Sequence, residues 1–139
     1  MRRIVPTLAI GMVMLGGPVA CGGANTEALQ REAVGCSTYF TVLNDQILNG
    51  DPAFADRIMA ALVDPAAVDA DEQLETINRT LVDMADGTDA WRAEMEPADV
   101  TALESEQSAL ARRHVAEDRS TEAAERISSC VETWERLNR

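Results

Sequence analysis

The stretch LQREAVGCSTYFTVLNDQILNG, residues 29–50, decides the fold class. Its apolar positions are Leu29, Ala33, Cys36, Phe40, Leu43 and Ile47. They recur at alternating steps of four and three, which is one face of an α-helix held over more than five turns. Asn25 or Thr26 can cap its start. Asn49-Gly50 reads as a helix stop, and Asp51-Pro52 starts a new helix with proline in the first turn.

The same period recurs downstream. Phe54, Ile58, Ala61 and Leu62 mark a short helix ending at Asp64-Pro65. Ala67, Ala70, Leu74, Ile77, Leu81 and Met84 form a third stripe, closing at Gly87. Thr88 or Asp89 can cap a short turn carrying Trp91 and Met95, and Glu96-Pro97 breaks the chain again. Val100, Leu103, Leu110 and Val115 make a weaker stripe, interrupted by Gln107. Ala123, Ile127, Cys130, Trp134 and Leu137 make the last, with Ser120 or Thr121 as cap. No segment alternates with period two over a useful length, so strands are not expected. The expected fold is all-α: a bundle of four main helices plus a short one, with short connections favouring antiparallel neighbours.

Charge and length bound the function. The chain has 139 residues with 12 Lys+Arg against 24 Asp+Glu, a formal net charge of -12. One domain is expected at this length. The acidic balance argues against nucleic-acid binding, which needs a basic surface. Beyond the N-terminus there is no long apolar stretch, which excludes a polytopic membrane protein.

The N-terminus reads as an address. Arg2 and Arg3 are followed by an apolar run from Ile4 to Gly17, and then by Pro18, Val19, Ala20 and Cys21. Charge, apolar core and small residues in that order make a secretory signal peptide at residues 1–20. Pro6 and Pro18 break the run, which is also short for a spanning helix. The twin arginines lack the surrounding consensus of the twin-arginine export route.

Pro18-Val19-Ala20-Cys21 resembles the lipobox of bacterial lipoproteins, over residues 1–22 only. Pro18 stands where leucine is usual. The resemblance implies cleavage before Cys21 and a diacylated Cys21 at the new N-terminus. Residues 21–26 would then be the lipidated cysteine and a short tether with Gly22 and Gly23, and residues 27–139 the acidic helical domain. Two acyl chains hold a protein stably at a membrane, so the implied location is the extracytoplasmic face of the cell membrane. The alternative is a secreted protein cut after Ala20. All basic residues are Arg and 22 residues are Ala. That composition fits a high-GC bacterial coding sequence, as in an actinobacterium or its prophage.

If Cys21 carries lipid, Cys36 and Cys130 remain. Both lie mid-stripe, on the first and last helices, and export puts them where disulfides persist. A disulfide stapling those helices is expected. Two buried free thiols are the alternative. Tyr39, Phe40 and Trp134 lie close to the cysteines in register. They read as packing around the staple, or as an aromatic-lined ligand pocket at that end of the bundle.

Catalytic groups are sparse. His114 is the only histidine, which excludes a histidine-rich metal site, and it reads as a half-buried or surface residue. No nucleophile elbow, zinc-protease motif or phosphate loop occurs. Asp69, Asp71 and Glu72 suit a helix N-terminus. Asp83, Asp86 and Asp89 around Gly87 miss the spacing of a calcium loop. Glu104, Glu106, Glu117, Asp118, Glu122, Glu125, Glu132 and Glu135 read as a solvated face. The sequon at Asn78 falls mid-helix and carries no weight. No enzyme, cofactor or metal is expected.

Two functions compete. The first is a membrane-anchored, non-catalytic interaction module for another envelope protein, as an accessory subunit or an exclusion factor. The mature surface, at -14 by the same residue counts from Cys21 onward, predicts a basic or metal-screened partner face and salt-sensitive binding. The second is a small-molecule or lipid-binding bundle, with Met59, Met84 and Met95 lining an adaptable pocket.

Overall fold

The computed structural model describes residues 4–139, with side chains from residue 25 onward. The expected lipidation at Cys21 and the side chains of the expected signal peptide lie outside that description. The described residues form six helices: α1 (Ile4–Asn49), α2 (Pro52–Leu62), α3 (Ala70–Gly87), α4 (Asp89–Glu94), α5 (Pro97–Ala116) and α6 (Ser120–Leu137). The architecture is the all-α bundle expected. Its four long helices are joined by two short ones, α2 and α4.

The quoted stretch plays a larger part than one amphipathic face. Residues 33–39 of α1 are all buried, so the helix is enclosed there on every side. The sequence Ala-Val-Gly-Cys-Ser-Thr-Tyr permits this because it has no charge and mostly small side chains. α1 touches each of the other five helices. Small residues let them approach closely: a Cβ on Gly35 would sit 3.2 Å from Leu103 Cδ1 and 3.4 Å from Gln107 Cγ.

Direction follows from the contacts. Arg31 pairs with Asp99, Gly35 packs on Leu103, and Tyr39 bonds His114. Both numbers rise together, so α5 runs alongside α1 in the same sense. α6 then returns antiparallel to α5 through a three-residue turn, as the short connection requires. Asp118 makes that turn at φ 53°, in the left-handed region that Asp tolerates better than most residues. The Arg119 N–H donates to the His114 carbonyl at 2.7 Å across it.

The core holds Tyr39, Leu43, Phe54, Ile58, Leu81, Met84 and Ile127 around the cysteines. Cys36 and Cys130 are disulfide-bonded with Cα atoms 5.6 Å apart, as both stripes implied. Both are buried.

Several caps differ from expectation. Asn25 and Thr26 lie inside α1 rather than capping it, since either costs a helix interior only a fraction of a kcal/mol. Ala67 belongs to the turn before α3, whose first helical residue is Ala70. Asp64 stabilises that turn by accepting the Ala66 N–H at 2.9 Å. Ser120 is the first residue of α6, and Arg119 occupies the cap position.

Candidate functional site: a closed polar centre beside an open apolar crevice

Where α1, α5 and α6 meet, polar side chains are enclosed. The Tyr39 hydroxyl lies 2.7 Å from His114 Nδ1, and the rings meet edge to face with centroids 5.7 Å apart. Tyr39 is fully buried, so its hydroxyl donates to Nδ1, because an orphaned buried O–H is costly. Nε2 then carries the imidazole proton. Burial pushes the Tyr39 pKa well up and, with Arg113 beside it, holds His114 below the usual histidine range. Both groups are neutral near pH 7.

His114 is 6% exposed, which corrects the half-buried or surface placement. The cause is its fit to Tyr39 across the α1–α5 contact, a pairing 75 residues apart that spacing cannot reveal.

Arg126 closes the other side. Its guanidinium lies 5.8 Å from the Tyr39 ring centroid and ion-pairs with Glu32. It also donates to Gln107 Oε1 from Nη2 at 2.9 Å and from Nε at 3.3 Å. The interruption of the fifth stripe is thereby explained, since the buried Gln107 amide is an acceptor for Arg126. Arg126 bridges α1, α5 and α6 one helical turn from Cys130.

Tyr39, Phe40 and Trp134 do not form one pocket, contrary to the ligand-pocket expectation. Adjacent helical residues point about 100° apart. Tyr39 therefore faces His114, while Phe40 faces α2 and α3. Trp134 packs on Gly87, where a Cβ would meet its ring at 2.5 Å, and tilts against Trp91 at 5.9 Å. The three methionines also separate: Met84 is core, Met59 lines the Phe40 crevice, and Met95 lines a cleft with Arg31 and Trp91.

The crevice is lined almost wholly by apolar side chains. α2 and α3 flank α1 with little contact between them, leaving Phe40, Leu43 and Ile47 of α1 as its floor. Ile58, Met59 and Leu62 form one wall, Leu74, Ile77 and Leu81 the other, and Ile127 of α6 closes the base. Its volume is about 310 Å³. The stripes named nearly all these residues; what they could not show is that two walls would stand apart.

No family model, curated protein or solved structure matches this chain.

Among the described residues, no group of His, Cys, Asp or Glu is placed to hold a metal. No helix among them is long and apolar enough to cross a membrane. The histidine is spent on Tyr39. What the arrangement can do is hold a rigid scaffold and present an apolar surface.

Proposed function

We propose that this chain is an exported, lipid-anchored interaction module, without catalysis, that binds another protein of the bacterial envelope. The observation that carries the reading is the Cys36–Cys130 disulfide. Disulfides persist in oxidising compartments, and this pairing leaves Cys21 as the odd cysteine, at the position where the lipobox resemblance puts lipid. Exposed apolar side chains at Met59, Leu48 and Val82 on an otherwise acidic surface suit partner contact.

The test is the intact mass of protein from the membrane fraction, with and without reduction. A chain beginning at Cys21 with added acyl mass, gaining two hydrogens on reduction, is expected. A soluble product that keeps Met1 refutes the anchored reading. In-cell photocrosslinking that captures no reproducible envelope protein refutes the interaction reading.

The crevice also favours a second reading, a small apolar or lipidic ligand, since its volume lies at the small end of ligand pockets, about 300–1,000 Å³. Native mass spectrometry of protein taken directly from cells would then show a ligand adduct.

A further inference from the structure

We propose that the crevice between α2 and α3 is the docking groove, and that its occupant is a cationic amphipathic helix of the partner protein. This rests on the interaction-module reading and names the surface and the chemistry it selects.

Shape comes first. Two helices standing apart over a third leave a trough whose floor and walls are aliphatic, and an amphipathic helix fills such a trough with side chains at helical spacing. Leu74, Ile77, Leu62 and Phe40 are only half-buried there, and Met59 is 40% exposed.

Charge selects the occupant. Residues 51–87, which hold α2 and α3, carry nine Asp and Glu against two Arg. Both arginines are already engaged: Arg57 with Asp51 at 3.0 Å and Asp118 at 2.9 Å, and Arg79 with Glu75 at 2.7 Å. The segment that carries both walls is therefore net negative, while the crevice lining itself holds no Asp or Glu, and this favours lysine and arginine outside the partner's apolar stripe. A second copy of this chain would bring the same acids and be repelled.

Position argues against the bilayer as occupant. At 1.5 Å per residue, Leu43 on the crevice floor lies about 27 Å along α1 from Asn25. An anchor at Cys21 therefore puts the crevice at the far end, facing proteins rather than lipid.

The experiment uses the full acylated chain in zwitterionic nanodiscs, with empty nanodiscs as background. The probe is a fluorescent four-turn Leu/Lys helix, compared with its Leu/Glu counterpart. Carbon-13 methyl labelling of methionine reads three places at once: Met59 the crevice, Met84 the core and Met95 the separate cleft. The Leu/Lys helix should shift Met59 saturably and leave Met84 and Met95 unmoved. Met59→Asn should weaken binding about tenfold, the loss expected for one buried methionine side chain. Leu48→Asn, outside the crevice, should not.

Equal binding of the Leu/Glu helix overturns the proposal, as does a shift at Met95 in place of Met59. A Met59 shift that grows with protein concentration alone marks a second copy as the occupant and also overturns it. A photocrosslinker at position 59 and another at position 109 on the exposed face of α5 separate this inference from the reading beneath it. Envelope-protein capture from 109 but not from 59 leaves the interaction module standing and sinks the crevice. Capture from neither, with Met59 still occupied by the Leu/Lys helix, sinks the interaction module and retains the groove's selectivity.

Discussion

Opening the Cys36–Cys130 bridge should remove a large part of the domain's stability. The cysteines are 94 positions apart, so the bridge closes most of the described chain into one loop in the unfolded state. For a loop of that size the chain-entropy model gives about 4.7 kcal/mol at 25 °C. Domains of this kind are stable by only about 5–15 kcal/mol in total. Replacing both residues by alanine adds about 1–2 kcal/mol for the small cavities left at two buried sulfurs. Reduction of the natural protein keeps the sulfurs and so isolates the loop contribution. Urea unfolding, followed by circular dichroism, should show the reduced protein weaker by about 4–5 kcal/mol, with a melting point lower by about 20 °C. The denaturant slope should rise on reduction, because the opened chain exposes more surface when unfolded. A loss below about 1 kcal/mol with an unchanged slope would refute the reasoning. It would mean that the packing of α1 against α5 and α6 already sets the fold and that the bridge adds little.

Stability should also fall with acid through His114. Its folded pKa lies below the unfolded value near 6.5, so the unfolded chain takes up the proton first. The histidine contribution is complete above about pH 7, declines as pH falls through 6.5, and levels off below the folded value; His114→Gln should flatten that slope in denaturant midpoints taken between pH 7.5 and 5. Thr38 is buried and its hydroxyl has no partner, so Thr38→Val should stabilise by about 1 kcal/mol, read from the urea midpoint. Gly87→Ala should destabilise by about 1–3 kcal/mol despite the better helix propensity of alanine, because the new methyl meets Trp134 at 2.5 Å, and the tryptophan fluorescence should shift with it.

Periodicity made the helices legible, and the cysteines made the closure legible. Steps of three and four placed α1, α2, α3 and α6 because each buries one face, and period is what a one-sided burial leaves in a sequence; α5 buries Gln107, Ala111 and His114, none of them on the weaker stripe of Val100, Leu103, Leu110 and Val115. Cys36 and Cys130 could be paired because each lay on such a face. The enclosure of α1 was less visible: a stripe reports one buried side, whereas residues 33–39 are buried on all sides, and the only trace is the absence of charge between Glu32 and Asp45. Tyr39 and His114 could not be joined, since nothing local in either helix encodes a partner 75 residues away. Gln107 looked like a defect in a stripe, and its meaning lay in Arg126, a residue of another helix.

The two concentrations of interest in this molecule are physically opposite, and the contrast bears on function. At the α1–α5–α6 junction polar groups are partnered inside the fold: hydroxyl with imidazole, guanidinium with carboxylate and amide, sulfur with sulfur. A network partnered in this way favours one packing and has little left to offer a ligand. The α2–α3 side is built the other way. α3 buries only Leu81 and Met84 outright, both toward its C-terminal end, while Leu74 and Ile77 stay half-exposed along the crevice. Apolar surface left at a wall that few contacts hold costs stability, and the stapled centre supplies what that wall lacks. A domain needing only to fold would gain by closing α3 onto α2. A domain that receives another helix there gains by holding the two apart on a rigid floor, and the disulfide, Arg126 and the enclosed segment of α1 make that floor rigid.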